Sequence, residues 1–487
     1  MTLEEVLEKY EPVIGLEIHA QVLTKSKAYS SDPNEFGSTP NTNVSPISLG
    51  HPGTLPRLNS KVIENAVKLG IACQCDITRE MHFDRKNYFY ADLPKGYQIT
   101  QDKTPICRNG FVTIKDAKGN DKRIELTRIH MEEDSGKSIH DQDPFNTLID
   151  LNRAGVPLVE IVTEPVIKDA LEAYNYLAEV RKLVRYLDIC DGNMEEGSLR
   201  CDVNVSIMLK GSKEFGQRVE VKNMNSLRNV QRAIEFEIVR HAELIEKGKP
   251  IFQETRNFDA TSNATVGMRK KEDAHDYRYF PEPDLGALKI EQSYIDQIKA
   301  GLPPLPSELL KKYTSELGLS EYDAMNILDS KEIAMYFEEM ISQTKHYKSA
   351  ANWLMGSIKS YLNQHAVEIE HFPLSPSKII ALVDLIESGK VNNSLASQKI
   401  FPAMLETPES TPEQIAEKNG WIVQSDSNEL EEIVKSIFEN NPDETARFKA
   451  GEKKLTGFFM GLIMRETKGS ADPKTTSQAI NKVIQSF

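Results

Sequence analysis

The segment Thr127–Pro165 reads TRIHMEEDSGKSIHDQDPFNTLIDLNRAGVPLVEIVTEP, and it contains the strand pattern on which the fold depends. Its last part, Val156–Val162, is an apolar strand-like run in which Glu160 stands between Val159 and Ile161. A carboxylate rarely stays in such a run without a metal ion, a cation or several hydrogen bonds as partners. The pattern therefore predicts a partnered, functional Glu160.

A similar interruption occurs near the N-terminus, where Glu17 and His19 break the apolar run 13–23. Two carboxylates and an imidazole from separate strands would make a site for a divalent cation. Alternation along 201–207 predicts a further strand, and Asp202 at its start could complete the metal shell. These residues make the strand-rich half of the chain the candidate for the functional site.

The composition is that of an ordinary globular protein. The 487 residues are 39% hydrophobic and 27% charged, and this length predicts two or three domains. No apolar run approaches the roughly 18–20 residues that a membrane-spanning helix needs. The acidic start lacks the basic region of a signal peptide, and five scattered cysteines without a Cys-x-x-Cys pair favour reduced thiols. We therefore expect a cytoplasmic protein without a membrane anchor or a four-cysteine zinc site.

The net charge is −14. This charge excludes a uniformly basic nucleic-acid binder, because such binding depends on the release of phosphate counterions by Lys and Arg. Binding of a structured RNA stays open, either through local basic patches or in a complex whose other subunits share the contact.

Strand-like runs dominate the first ~290 residues, and helical periodicity appears between them. This mixture predicts an α+β fold with a mixed, largely antiparallel sheet. Two long stretches, 24–60 and 250–285, are predicted to be functional loops. From ~298 onward the pattern is all-helical, which divides the chain into domains 1–297, 298–408 and 409–487.

Nucleotide binding by a common loop is excluded. Gly136-Lys137-Ser138 looks like the end of a Walker A motif, but Met131 stands where the first glycine should be, and three acids would repel the phosphates. The stretch 83–98 instead interleaves Arg85, Lys86 and Lys95 with aromatic rings. Such a stretch can hold phosphates and stack on bases, or it can simply pack a loop on the sheet. Both interpretations stay open on the pattern alone.

Several long motifs resemble a known family. They are Gly15–His19 (GLEIH), Phe83–Tyr90 (FDRKNYFY), His130–Lys137 (HMEEDSGK), Met194–Asp202 (MEEGSLRCD), Asp276–Asp284 (DYRYFPEPD) and Asn352–Gly356 (NWLMG). On these motifs the chain resembles the GatB family, the B subunits of aspartyl/glutamyl-tRNA amidotransferases. The resemblance extends over essentially the full length, including a tail similar to the GatB/YqeY domain.

The resemblance implies a carbon–nitrogen ligase that uses ATP and Mg²⁺. Such a subunit phosphorylates the misacylated carboxylate of Glu-tRNA(Gln) or Asp-tRNA(Asn), and ammonia then displaces the phosphate to give Gln-tRNA(Gln) or Asn-tRNA(Asn). Ammonia would come from a GatA-like glutaminase subunit, with a GatC-like small subunit completing a heterotrimer. The sheet domain would be a "cradle" that holds the kinase and transamidase site, and the helical and tail domains would contact tRNA. Which misacylated tRNA is used depends on the synthetases of the host.

The resemblance also implies site residues. Carried over by motif, the catalytic residues and metal ligands are Glu17, His19, Glu133, Glu160 and Asp202, with Glu132 nearby. An imidazole is a less usual ligand of Mg²⁺, so His19 is assigned either to a second ion or to a water. The residues assigned to the ATP phosphates or the tRNA 3′ end are Arg85, Lys86 and Arg200. The slightly long loop 141–146 is a minor departure from the family and does not touch these positions.

Two alternatives remain at this point. One is a non-catalytic tRNA-binding scaffold, favoured by the basic segment Lys449–Lys454 and by the absence of a standard ATP motif. The other is a stand-alone metallohydrolase, which is disfavoured because no nucleophile or water-activating histidine pair is evident.

Overall fold

In the computed structural model the chain divides into two units, residues 1–305 and 306–487. The structure describes residues 1–270, 277–422, 427–452, 454–467, 471 and 473–486. The predicted α+β class is confirmed, because strands dominate the first unit and helices make up the second. The division into three domains at 297/298 and 408/409 stays a prediction.

The first unit is built on a large sheet. The strands of this unit are β1 (Tyr10–Gln21), β2 (Asp76–Ile77), β3 (Glu80–Met81), β4 (Asp84–Asn87), β5 (Tyr97–Thr100), β6 (Cys107–Arg108), β7 (Phe111–Lys115), β8 (Asp121–Glu133), β9 (Lys137–Ile139), β10 (Leu148–Asp150), β11 (Pro157–Thr163), β12 (Leu199–Leu209), β13 (Val219–Met224), β14 (Glu254–Asp259), β15 (Ala264–Lys270), β16 (Phe280–Pro281) and β17 (Leu288–Lys289). Among the described residues, ten strands form the large sheet, in the order β15-β14-β13-β12-β1-β11-β8-β6-β2 with β7 paired to β8. All pairs in it are antiparallel except β13–β14. Smaller sheets join β16-β4-β5, β9-β10 and β3-β17.

Helices cover one face of this sheet. They are α1 (Leu3–Lys9), α2 (Ser60–Ala72), α3 (Ala170–Tyr186), α4 (Leu227–Glu246) and α5 (Gln292–Ala300). The side chains of Asn59, Asp169 and Ser226 begin α2, α3 and α4 by accepting hydrogen bonds from backbone N–H groups of the first turn. The apolar faces of these three helices share one core with alternate residues of the central strands.

Alternation along the central strands leaves the other face of the sheet polar. Ile18, Ile129 and Ile161 are fully buried in the core that the helices share. Neighbouring residues such as His19 and Glu160 point to the opposite face, because successive side chains of a strand alternate. The face without helices is therefore where the sequence places its charged residues.

The predicted loop 24–60 is confirmed up to Asn59, but the predicted loop 250–285 is wrong for residues 254–270. There β14 and β15 extend the sheet. Their inward positions include Arg256 and Thr265, which bind a buried carboxylate from α4. The apolar alternation that marks a strand is therefore absent from the sequence at this point.

The second unit is helical. Its helices are α6 (Pro306–Lys311), α7 (Glu321–Ile327), α8 (Lys331–Ile341), α9 (Tyr347–Trp353), α10 (Lys359–His365), α11 (Pro376–Glu387), α12 (Asn393–Leu395), α13 (Phe401–Glu406), α14 (Pro412–Lys418), α15 (Ser427–Asn440), α16 (Pro442–Lys449), α17 (Leu455–Glu466) and α18 (Pro473–Ser486). Helices α15, α17 and α18 pack around Phe438, Phe459 and Ile480. No helix in the described ranges has the length and apolar character needed to cross a bilayer.

The buried carboxylate under β14 and β15 is Glu237. It accepts hydrogen bonds from Arg240 Nε at 3.0 Å and Nη2 at 2.7 Å, and its oxygens lie 3.2 Å from Arg256 Nε and His241 Nε2. Burial alone would raise the pKa of Glu237, but His241 and Arg240 outweigh burial and lower the pKa to about 2. The ionised carboxylate therefore ties the edge of the sheet to α4.

We expect Glu237→Gln to destabilise the protein at pH 7 by about 1–3 kcal/mol, because the partly buried guanidinium groups of Arg240 and Arg256 lose one of their two carboxylate partners. The carboxylate of Glu237 is harder to protonate in the folded state than in the unfolded chain, where a Glu pKa is about 4.3. Its contribution is therefore complete above that pH and declines as the pH falls toward 2. The apparent melting temperatures of wild type and Glu237→Gln, compared at pH values between 2 and 7, measure this pH dependence of stability.

The matched control is Glu243→Gln on the same helix, whose exposed carboxylate pairs with Lys247. This substitution should change the melting temperature little at any pH. A constant difference between wild type and Glu237→Gln across the whole pH range would contradict the assignment.

Candidate functional site

A cavity of about 670 Å³ lies on the polar face of the sheet. Strand register assembles its wall, because residues directly opposite one another in antiparallel strands share a face. Four neighbouring strands, β12, β1, β11 and β8, each contribute one side chain to a first row and one to a second row. The first row is Arg200, His19, Glu160 and His130, and the second is Asp202, Glu17, Val162 and Arg128.

Glu160 occupies the centre of the first row, between two imidazoles. Its Oε2 lies 3.2 Å from His19 Nε2 and 3.2 Å from His130 Nε2. The carboxylate of Glu132 approaches from β8, with Oε2 at 3.7 Å from His130 Nε2. One ligand atom each from His19, Glu132 and Glu160 lies within 4.8 Å of the others, a spacing that could hold a metal ion.

The charges of this cluster stabilise one another. Burial alone would lower the pKa of His130, but the carboxylate of Glu160 outweighs burial and raises the pKa to about 9. Burial would raise the pKa of Glu160, yet His130 and His19 hold it well below its ordinary value. For Glu132, burial is likewise outweighed, chiefly by Lys86, and the pKa falls to about 2. The site therefore offers two ionised carboxylates at neutral pH.

The second row adds two more carboxylates. Glu17 Oε1 accepts a hydrogen bond from Asn204 at 2.9 Å, and Asp202 is bound by the ammonium group of Lys222. Burial, together with the negative charge of Glu160 and Asp202, raises the pKa of Glu17. A cation placed in this row would relieve that repulsion.

The structure does not bring Glu133 into the cavity. Glu133 follows Glu132 on β8 and so points to the opposite face of the sheet, where Ile99 N donates to its Oε1 at 2.8 Å and Lys95 pairs with the same oxygen. There it lines a separate cavity of about 80 Å³. The motif placed two adjacent acids at the site, and strand alternation directs only Glu132 toward it.

Residues of β5 hold Glu132 in place. Gln98 Nε2 donates to Glu132 Oε1 at 3.1 Å and to the carbonyl of Glu133 at 2.6 Å, while Thr100 Oγ1 donates to Glu132 Oε2 at 3.1 Å. Sequence reasoning missed Gln98, Thr100 and His130 as members of the site. The alternation Tyr-Gln-Ile-Thr on β5 was the available signal for Gln98 and Thr100.

Of the predicted phosphate-binding residues, Lys86 and Arg200 line the cavity and Arg85 does not. The Arg85 guanidinium donates to both oxygens of Glu282 at 2.7 and 2.8 Å, and it lies over the ring of Tyr97 with its carbon 4.1 Å from the centroid. Arg85 therefore holds the 280–284 segment on β4. Three further cations reach the cavity, namely Arg128, Arg218 and Lys222.

Some predicted residues lie outside the part of the chain that the structure describes. Asp276 of the motif Asp276–Asp284 is among them, and so is Lys453 of the basic segment Lys449–Lys454. The two tyrosines of the motif Asp276–Asp284, Tyr277 and Tyr279, line the cavity.

Comparison with known proteins agrees with this arrangement. Residues 12–296, which contain the whole cavity, match the family described as GatB/GatE catalytic domain, and residues 335–484 match the GatB domain. The chain is similar to proteins named as the B subunit of aspartyl/glutamyl-tRNA(Asn/Gln) amidotransferase. It is 46% identical to the protein of Trichodesmium erythraeum over 99% of both chains. It is also 46% identical to the protein of Persephonella marina, over 98% of this chain and 99% of the relative. The identity to the protein of Clostridium botulinum strain Loch Maree is 44% over 98% of both chains. The chain therefore belongs to the GatB/GatE family.

Proposed function

We propose that this chain is the subunit of a tRNA-dependent amidotransferase that activates the acyl group of misacylated tRNA with ATP. The substrates would be Glu-tRNA(Gln), Asp-tRNA(Asn) or both. The observation that carries the proposal is the cluster of His19, Glu132 and Glu160 in a cavity ringed by cations. Acidic ligands surrounded by Lys and Arg suit a metal-bound polyphosphate, because each charged part of that ligand meets its opposite.

The reaction has two steps. First, a side-chain carboxylate oxygen of the esterified amino acid attacks the γ-phosphorus of ATP, the bond to the β,γ-bridging oxygen breaks, and ADP leaves. Ammonia nitrogen then attacks the acyl carbon, the bond from that carbon to the phosphate oxygen breaks, and the nitrogen gives up a proton. Arg200 and Lys222 line the cavity and would hold the phosphate oxygens during the first step.

The donor set fits a divalent cation. His19, Glu132 and Glu160 would hold it, with Glu17 and Asp202 in the next row. When bound, such an ion neutralises phosphate charge and orients the oxygens for in-line transfer. An imidazole beside two carboxylates would also accept Mn²⁺, so Mg²⁺ is the choice implied by the family rather than by the donor set.

The scaffold alternative is not supported, since the matching family is described as a catalytic domain and its residues enclose the cavity. The metallohydrolase alternative has no support in the relatives' names. We propose that ammonia comes from a GatA-like glutaminase subunit and that a GatC-like subunit completes the complex. A cytoplasmic location, expected from five free cysteines, stays a prediction.

Two adjacent carboxylates give a matched test of the cation site. We expect Glu132→Gln to weaken Mn²⁺ binding by about tenfold or more, because a ligand that faces the cavity is lost. Glu133→Gln should leave Mn²⁺ affinity unchanged, since that side chain points to the other face. Titration of the complex with Mn²⁺, followed by electron paramagnetic resonance, measures both. Equal affinity in the two variants would contradict the site.

The activation step can be isolated by withholding glutamine and ammonia from the assembled complex. Wild type should then form an acyl phosphate from ATP and Glu-tRNA or Asp-tRNA, trapped by hydroxylamine as the side-chain hydroxamate, which is distinct from the α-hydroxamate that hydroxylamine forms with the ester bond of the tRNA. Glu160→Gln should reduce this product by ~100-fold, because the central carboxylate of the site is lost. Glutaminase activity of the partner subunit should persist in that variant.

The persisting glutaminase activity shows that the complex is still assembled. A wild-type complex that amidates tRNA without forming a trappable acyl phosphate would refute the proposed function. Loss of both activities in Glu160→Gln would instead reveal a structural role for Glu160.

A further inference from the structure

The two ends of the cavity differ in chemistry. At the end near β13, Arg218 and Lys222 stand among charged groups, and Lys222 pairs with the carboxylates of Asp202 and Glu220. At the other end, beyond β8, three tyrosines line the wall: Tyr88, Tyr277 and Tyr279. Four strand spacings of ~4.8 Å separate β13 from β8, so the ends are about 19 Å apart. A charged and a ring-shaped part of a ligand can therefore bind at different places.

The tyrosines form a connected aromatic surface, here called the tyrosine wall (Tyr88, Tyr277 and Tyr279). The Tyr277 ring lies 6.0 Å from Tyr88 and 5.9 Å from Tyr279, with interplanar angles of 72° and 68°. Lys86 Nζ lies 5.3 Å from the Tyr277 centroid, and Tyr88 OH donates to Gln98 Oε1 at 2.6 Å. These contacts fix the wall beside Glu132, which Gln98 also binds.

Packing alone does not explain this surface. Tyr279 is 42% exposed, although it stands beside buried residues of the cluster. Aromatic faces next to a cation bind nucleobases well, because every base presents a π-face and stacking tolerates differences in sequence.

We propose that the tyrosine wall, with Lys86, is a stacking site for an adenine ring. The proposal rests on the proposed function, in which two ligands carry adenine: ATP and the 3′-terminal adenosine of tRNA. Both present the same ring to the wall. In either case the ring lies at the β8 end of the cavity, and the cationic residues Arg218 and Lys222 remain for phosphate groups.

The test uses the assembled complex and two fluorescent ligands that carry 2-aminopurine in place of adenine. One is the nucleoside triphosphate, and the other is tRNA with the analogue at its 3′ terminus. Stacking on a tyrosine quenches 2-aminopurine fluorescence. We expect quenching of one ligand by wild type and by Tyr279→Phe, which keeps the ring. Tyr279→Ala should lose the quenching and weaken binding of that ligand by about tenfold.

Tyr322→Ala is the matched control, since Tyr322 is a 77% exposed tyrosine of α7, outside the cavity. It should leave the quenching of both ligands as in wild type. Loss confined to the triphosphate identifies ATP as the source of the ring, and loss confined to tRNA identifies the terminal adenosine. Unchanged quenching in both arms of Tyr279→Ala overturns the inference, as does a parallel loss of both ligands with a lowered melting temperature. Acyl phosphate formation by wild type, measured separately, shows whether the proposed function itself holds.

Discussion

The site depends on one interaction, the contact of a buried carboxylate with two imidazoles. Glu160 lies in an apolar strand where an unpaired charge would cost several kcal/mol. His19 and His130 approach it from the strands on either side, each at 3.2 Å. Because all three residues are held by backbone register, the cluster does not depend on mobile loops. Chemistry that needs fixed charge is thereby placed on the most rigid part of the fold.

Much of this could be predicted from the sequence. A lone Glu in the apolar run 156–162 indicated a partnered carboxylate, and the interruption at Glu17 and His19 indicated its surroundings. These predictions succeeded because strand alternation is a local signal that single residues break visibly. The fold class followed from the same signal, with helical periodicity taking over after residue 298.

The sequence did not determine which face of the sheet each side chain points to, or which distant residue it pairs with. Adjacent acids at 132 and 133 are equivalent in a motif, and only the register of β8 assigns them to opposite faces. Arg85 stands among residues suited to phosphate, yet Glu282, almost 200 residues later, occupies its guanidinium. Long-range partners of this kind leave no local pattern. The strands at 254–270 were missed for a related reason, since polar residues fill their inward positions.

The short strand β5 has a mechanical consequence. Its Gln98 side chain holds Glu132 on one face of the sheet, and its Ile99 backbone holds Glu133 on the other. A strand that lies between two cavities normally only separates them. Here one four-residue strand binds a carboxylate on each side, Glu132 through the Gln98 side chain and Glu133 through the backbone of Ile99. The strand that separates the two cavities therefore helps to fix the walls of both.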